Sequence, residues 1–205
     1  MSLKQSYILV SLMSLFLTLP IFAKEPLVVI ISLDDISFPL VINEASTTSG
    51  LDATKQKYLD AINKARSETQ DCGSEGIKSP VAALKWNDKL YDSAHMHSND
   101  LAETSTFSHT GSGTQSDIAA QQLHPNVGST VTERIEYTGY VWSRNGENIA
   151  AGYGTVESVM IAWLDSPGHC ANIMNPNFKE VGMALVVKTG SQYYDYWTQD
   201  FGTAR

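Results

Sequence analysis

Apolar residues recur at helical spacing through most of this chain and at strand spacing near its end. Tyr58, Ala61, Ile62 and Ala65 repeat every three or four positions with charges between them. That pattern predicts a helix over residues 54–70, stopped at Cys72-Gly73. Leu90, Ala94, His97 and Leu101 share one face of a second helix, with Asn87 placed to cap it. Val131, Ile135 and Tyr140 mark a third over residues 130–140, stopped by Gly139. Val156, Val159, Met160 and Trp163 form the stripe of a fourth, with Thr155 as its cap. Glu157 sits in its first turn, where a negative charge complements the helix macrodipole. Ser166-Pro167 starts a short fifth helix: Ser caps it, and Pro takes the first helical position, where its missing N–H costs nothing.

The period then shortens. Val181–Lys188 is an apolar run, Thr189–Gln192 a turn, and Tyr193–Phe201 an aromatic-rich return, which predicts a β-hairpin. Two stretches between the helices read as loops: residues 111–128, with a short helical turn at Ile118–Leu123, and the Gly-rich residues 146–154. Helices first and strands last predict an α+β fold. Upstream, residues 24–53 hold apolar runs at Leu27–Leu33 and Phe38–Ile42. An added strand, a segment draped over the domain and a disordered tether are all consistent with this lead-in or linker.

Residues 1–23 read as a secretory signal peptide, with Lys4 at its start, a largely apolar Ile8–Ala23 and a small residue at the cut. The apolar stretch is short for a spanning helix and Pro20 interrupts it, so cleavage is expected rather than stable membrane insertion. The remaining chain is long enough for one domain, residues 54–205, with a proper core. The formal net charge is −8, and loss of Lys4 makes it more acidic. No basic stripe is present to displace counterions, which excludes a nucleic-acid partner. A secreted protein, extracellular or periplasmic, is the expectation.

In an oxidising compartment the two cysteines, Cys72 and Cys170, most economically form one disulfide. The alternative is a reactive thiol at Cys170, directly after His169. His109 in Phe107–Gly111, Glu147 in Gly146–Ala150 and His169 are the candidate site residues. Two neutral imidazoles suit Zn²⁺ or another divalent cation, with His109 and His169 as ligands and Glu147 orienting one of them or binding through water. A His–Glu pair also suits general-base hydrolysis, although its nucleophile is missing: Ser108 and Ser166 adjoin the histidines in sequence only. A purely structural role for Glu147, joining two segments through hydrogen bonds, is the third reading. His95 and His97 read as structural or solvent-facing, and His124 as a surface residue.

The motifs taken together resemble the CAP superfamily (the SCP domain), which includes cysteine-rich secretory proteins, venom antigens and plant pathogenesis-related proteins. The likeness is strongest to its secreted bacterial branch. The matching pieces are Ala65-Arg66, Cys72-Gly73, Leu84–Leu90, Phe107–Gly111, Gly146–Ala150, Trp163, Ser166–His169, Asn172–Met174, Val181-Gly182 and Tyr196–Gly202. They run in the family's order over residues 54–205. The resemblance implies an α–β–α sandwich with a central antiparallel sheet and a shallow surface cleft. It also implies a cleft tetrad of two His and two acids, with His109, Glu147 and His169 at three positions. The fourth position falls at Ser166, with Asp165 one residue earlier, so the tetrad is incomplete or shifted.

A binding or interaction module follows from this resemblance more readily than an efficient enzyme, the alternative being a metal- or His/Glu-assisted, peptidase-like hydrolase. Relatives imply sterol, fatty acid or protein targets as ligands. Tyr137, Tyr140, Trp142, Tyr153, Tyr193, Tyr194 and Tyr196 add aromatic surface suited to those or to glycan, with at least half of them expected to pack inside.

Overall fold

The computed structural model describes residues 51–205, together with two strands of the lead-in, β1 (Val29–Leu33) and β2 (Ile36–Leu40). These two pair antiparallel as a sheet of their own. The expected signal peptide and its cut lie outside the described residues.

From Leu51 onward the chain is organised around a four-stranded sheet in the order β5-β7-β8-β6. β6 (Trp142–Ala151), β8 (Asp195–Ala204) and β7 (Glu180–Val187) are antiparallel to their neighbours, whereas the short β5 (Lys85–Trp86) joins β7 in parallel. A further two-residue ladder pairs β3 (Gln70–Asp71) with β4 (Ile77–Lys78).

Helices cover both faces. On one lie α1 (Ala53–Arg66), α5 (Val156–Asp165) and α6 (Pro167–Ile173). Ile62, Val159, Met160, Trp163 and Ile173 of these helices bury against Val181, Met183, Trp197 and Phe201 of β7 and β8. On the other lies α2 (Asp88–Thr104), whose Leu101 and Ala102 meet Ile149 and Tyr196. α4 (Val131–Tyr137) packs Ile135 beside Leu90 of α2 and Tyr140. The alternation of a strand thus serves two cores: Trp197, Gln199 and Phe201 point one way, and Tyr196, Thr198 and Asp200 the other. Gly182 allows α2 to lie this close to the sheet, because a Cβ there would stand 1.9 Å from the backbone nitrogen of Tyr91.

Capping follows the sequence at α2 and α5. Asn87 accepts from Lys89 and Leu90, while Thr130 with Glu133 and Thr155 with Ser158 form capping boxes. Ser166 stands at the start of α6 with Pro167 after it, but its side chain makes no capping hydrogen bond. α1 stops at Arg66, short of Cys72-Gly73. Arg66 is buried there, its guanidinium donating to the carbonyls of Ala82, Ile173 and Asn175, and the chain then turns into β3. Satisfying that buried cation with three carbonyls from two distant segments ends the helix where periodicity alone extends it. The short α3 (Ile118–Leu123) falls where the sequence places a helical turn.

The stretch 146–154, expected as a loop, is for its larger part the end of β6, the edge strand of the sheet. Gly146 is there for packing, not turning: a Cβ would come 2.8 Å from the Phe178 ring. Gly152, with φ +82°, marks the true exit. The Glu147 and Ile149 carbonyls accept hydrogen bonds from Asn172 Nδ2 (3.2 Å) and Trp163 Nε1 (3.1 Å). These bonds tie α5 and α6 to the sheet's edge.

Cys72 and Cys170 are disulfide-bonded, their Cα atoms 5.4 Å apart across 98 positions of sequence. The bridge fastens the segment after α1 to α6. Replacing both cysteines by serine is expected to lower unfolding free energy by about 2–5 kcal/mol, read as a lower midpoint in urea.

Candidate functional site

The site is built on a carboxylate that has no access to water. Glu147 lies on β6 directly opposite Asp200 of β8, and both point toward α2 and α4. Its Oε2 accepts from Arg134 Nη2 at 2.6 Å and its Oε1 from His109 Nδ1 at 2.7 Å. Burial raises the Glu147 carboxyl's pKa. The charge of Arg134, the neighbouring His97 and the two hydrogen bonds outweigh that and hold it below the usual range. Because an ionised carboxylate only accepts, His109 must carry its proton on Nδ1, which leaves the Nε2 lone pair free. Half of the His109 side chain is exposed, so that lone pair is available to a ligand.

Arg134 is itself buried and does more than balance the charge. Nη2 also donates to the His109 carbonyl (3.0 Å), and Nη1 to the carbonyl and hydroxyl of Ser129. Ser129 is held in turn by Asp117, which also accepts from the Gly113 N–H. Asp100 of α2 accepts from Ser112 N–H and from the hydroxyls of Ser112 and Ser116. The long loop after α2 is therefore set by two inward carboxylates and one guanidinium, and His109 rides on it.

His97 lies beneath this loop, fully buried, its Nε2–H donating to the Ser108 carbonyl at 2.9 Å. Its Nε2 is 3.8 Å from Glu147. Burial lowers its pKa to about 4, so it is neutral. Asp200 is also fully buried, with Ser93 and Glu147 beside it. Neither of its oxygens, nor Ser93 Oγ, closes a hydrogen bond of good geometry among the described residues. Burial first, and then the charge of Glu147, push Asp200 well above the usual carboxylate range. Arg134 and Glu147 offset one another, and burial favours the uncharged forms of Asp200 and His97.

His169 approaches from the opposite face of the sheet, on α6. Its carbonyl accepts from Asn148 Nδ2, and Asn148 is bonded further to Gln199 and Asn172. The imidazole is half-buried. Burial lowers its pKa, and the proximity of His109 lowers it further. His169 lines a hollow at the sheet edge, and His109, backed by Glu147, stands near enough for its charge to be felt there. Ser166 lines the same hollow, whereas Asp165 is exposed at the end of α5 and does not line it. The second carboxyl beside Glu147 is Asp200, from β8. The missed signals were an aspartate inside a strand with both faces buried, and an arginine beside the stripe of an amphipathic helix.

Among the described residues no group of three or more His, Cys, Asp or Glu is arranged to hold a metal ion. The candidate donors are the imidazoles of His109 and His169, of which His169 lines the hollow. Of the seven aromatic residues noted in the sequence, Tyr140 and Tyr196 are buried and Trp142 is half-buried. Tyr137, Tyr153, Tyr193 and Tyr194 are exposed, so fewer than half pack fully inside. His95 is exposed, and His124 is hydrogen-bonded to Glu133 near the surface.

With fold and site in hand, the chain belongs to the cysteine-rich secretory protein (CAP) family, whose profile matches residues 59–201. It is 31% identical over 156 residues to YkwD of Bacillus subtilis, covering 76% of this chain and 49% of that protein. It is similar to the crystal structure of an extracellular protein containing an SCP domain from Bacillus anthracis, with TM-score 0.53, 26% identity, and coverage of 72% of this chain and 39% of that one. An outer surface protein from Borrelia burgdorferi shares the fold, with TM-score 0.52, 20% identity, and coverage of 74% and 90%. The chain thus spans about half or less of the two Bacillus proteins. No helix among the described residues is long and apolar enough to cross a membrane.

The raised pKa of Asp200 sets a direction for pH dependence. Its stabilising contribution is complete below the ordinary carboxylate range near pH 4 and is lost as pH rises through its own higher titration point. Asp200→Asn is expected to raise the melting temperature near pH 7, with the gain vanishing below about pH 4. Glu147→Ala is expected to cost about 3–5 kcal/mol in chemical unfolding, because it strands the Arg134 charge in the interior.

Proposed function

We propose that this protein is an extracellular binding domain whose cleft, walled by His109 and His169, takes a ligand together with a weakly held divalent cation. Zn²⁺ is the ion that two neutral imidazoles suit best. The observation that carries this reading is the 2.7 Å bond from His109 Nδ1 to Glu147. A carboxylate behind an imidazole sets the tautomer and raises the basicity of the outward nitrogen, as in carboxylate–histidine–metal arrangements. Two protein donors are fewer than the three or four of a tight site, so water or a ligand atom would complete the shell. A bound cation would supply Lewis acidity at the cleft mouth.

The secretory leader expected from residues 1–23 supports export, as do relatives described as extracellular or outer-surface proteins. An acidic chain with no basic stripe is poorly suited to nucleic acid. Sterol, fatty acid, glycan and protein remain the candidate ligand classes. The hydrolase reading draws on the same His109–Glu147 pair, which could take a proton from water. A nucleophile is not in evidence: Ser108 Oγ accepts from Thr110 N–H and bonds to no histidine among the described residues.

Zn²⁺ titrated into the protein is expected to raise its melting temperature. The gain amounts to about 2.7 kcal/mol at a hundred times Kd, and His169→Ala abolishes it. Glu147→Gln should weaken the apparent Zn²⁺ affinity about 10–100-fold. An unshifted wild-type melt at saturating Zn²⁺ rejects the cation site. Turnover of an unstructured peptide library, lost in Glu147→Gln, would replace the binding reading with the hydrolase.

A further inference from the structure

Beside His169 the cleft opens into a groove of about 320 Å³. Its walls include Phe107, Tyr153, Tyr193, Trp163 and Ser166. The Phe107, Tyr153 and Tyr193 side chains are 49%, 36% and 38% exposed, so ring surface is presented to solvent. Not one Asp, Glu, Lys or Arg lines the groove, although the chain carries a net charge of −8. The Tyr153 and Tyr193 hydroxyls, the Ser166 hydroxyl and the His169 ring have no hydrogen-bond partner among the described residues. The groove thus combines aromatic faces with free neutral donors and acceptors.

Its rim is held by unusual backbone. Ser105, which ends α2, has φ +55°, and Tyr194 in the β7–β8 turn has φ +68°. Non-glycine residues enter this left-handed region at a cost that the surrounding structure must bear, and such positions concentrate at functional sites. Ser105 lies shortly before Phe107, and Tyr194 directly follows Tyr193. The Gln192 N–H donates to Ser105 Oγ at 3.2 Å, which clamps the two loops together. The Phe107 and Tyr193 rings meet edge-on with centroids 6.0 Å apart, and Tyr193 leans on the buried Tyr196. Two loops distant in sequence are thereby locked into one aromatic wall.

We infer that this groove binds an uncharged glycan segment, the rings of Phe107 and Tyr193 stacking on sugar C–H faces and the free side-chain groups meeting sugar hydroxyls. This deepens the binding reading above and rests on it. The absence of lining charge disfavours an anionic polysaccharide, which would approach an acidic protein with no lysine or arginine in the groove to receive it. A fatty acyl chain or sterol would leave four polar groups facing hydrocarbon, each at a desolvation cost. A sugar alternates apolar faces with hydroxyls and satisfies both kinds of surface.

The test is calorimetric titration of the protein with neutral chitotriose and cellotriose, with palmitate and a proline-rich peptide as competing classes. Saturable binding of at least one trisaccharide is expected, weakened about tenfold by Tyr193→Ala and by Phe107→Ala, with melting temperatures kept near wild type. Saturable binding of palmitate or peptide, with none of either sugar, overturns the inference, and so does sugar binding that both variants retain in full. The Zn²⁺ melt separates the two proposals. A Zn²⁺ shift without sugar binding removes the glycan and keeps the cation cleft. Sugar binding without a Zn²⁺ shift keeps the glycan and removes the cation.

Discussion

The ion pair between Arg134 and Glu147 is the constraint on which the site depends. A carboxylate placed on a β-strand and covered by two helices is tolerable only if a cation and donors reach it. Arg134 supplies the cation at 2.6 Å, and the same guanidinium then reaches the His109 and Ser129 carbonyls. One side chain thus sets the charge state of the carboxylate and the path of the loop that carries His109. The second carboxyl, Asp200, has no cation left to it and is pushed toward its neutral form.

That arrangement makes the cleft a junction between two separately packed layers. His109 comes from the α2–α4 side of the sheet and His169 from the α5–α6 side. β6 is an edge strand, and beside it Phe107 from one layer and Trp163 and His169 from the other line one hollow. The Trp163 and Asn172 bonds to carbonyls of β6 hold the α5–α6 layer against that edge. The Cys72–Cys170 bridge, one residue after His169, restrains the helix from below. A cleft whose walls come from different cores needs such ties, because neither core alone specifies the distance between the walls.

Much of the fold was legible because burial imposes a period. The stripes in α1, α2 and α5, the caps at Asn87 and Thr155, and the terminal hairpin all declare themselves locally. Where local cues point to two structures, the reading fails. Gly146 resembles turn chemistry but is small because Phe178 fills the space above it. α1 ends at Arg66 because three distant carbonyls capture its guanidinium, a fact of tertiary packing.

The candidate site divides along the same line. His109, Glu147 and His169 stand out in sequence because polar groups sit in distinctive motifs whose order resembles a known family. Asp200, Arg134 and His97 stand in ordinary amphipathic patterns, where a single polar residue is indistinguishable from a solvent-facing one. By itself the sequence determined most of the helices, the caps at Asn87 and Thr155, the terminal hairpin and the residue types available for chemistry, since those follow from spacing along one chain. Only the tertiary structure decided which carboxyl faces which and which proton His109 carries. It also decided that Phe107 and Tyr193 share a wall, because contacts between residues far apart in sequence depend on how the layers pack.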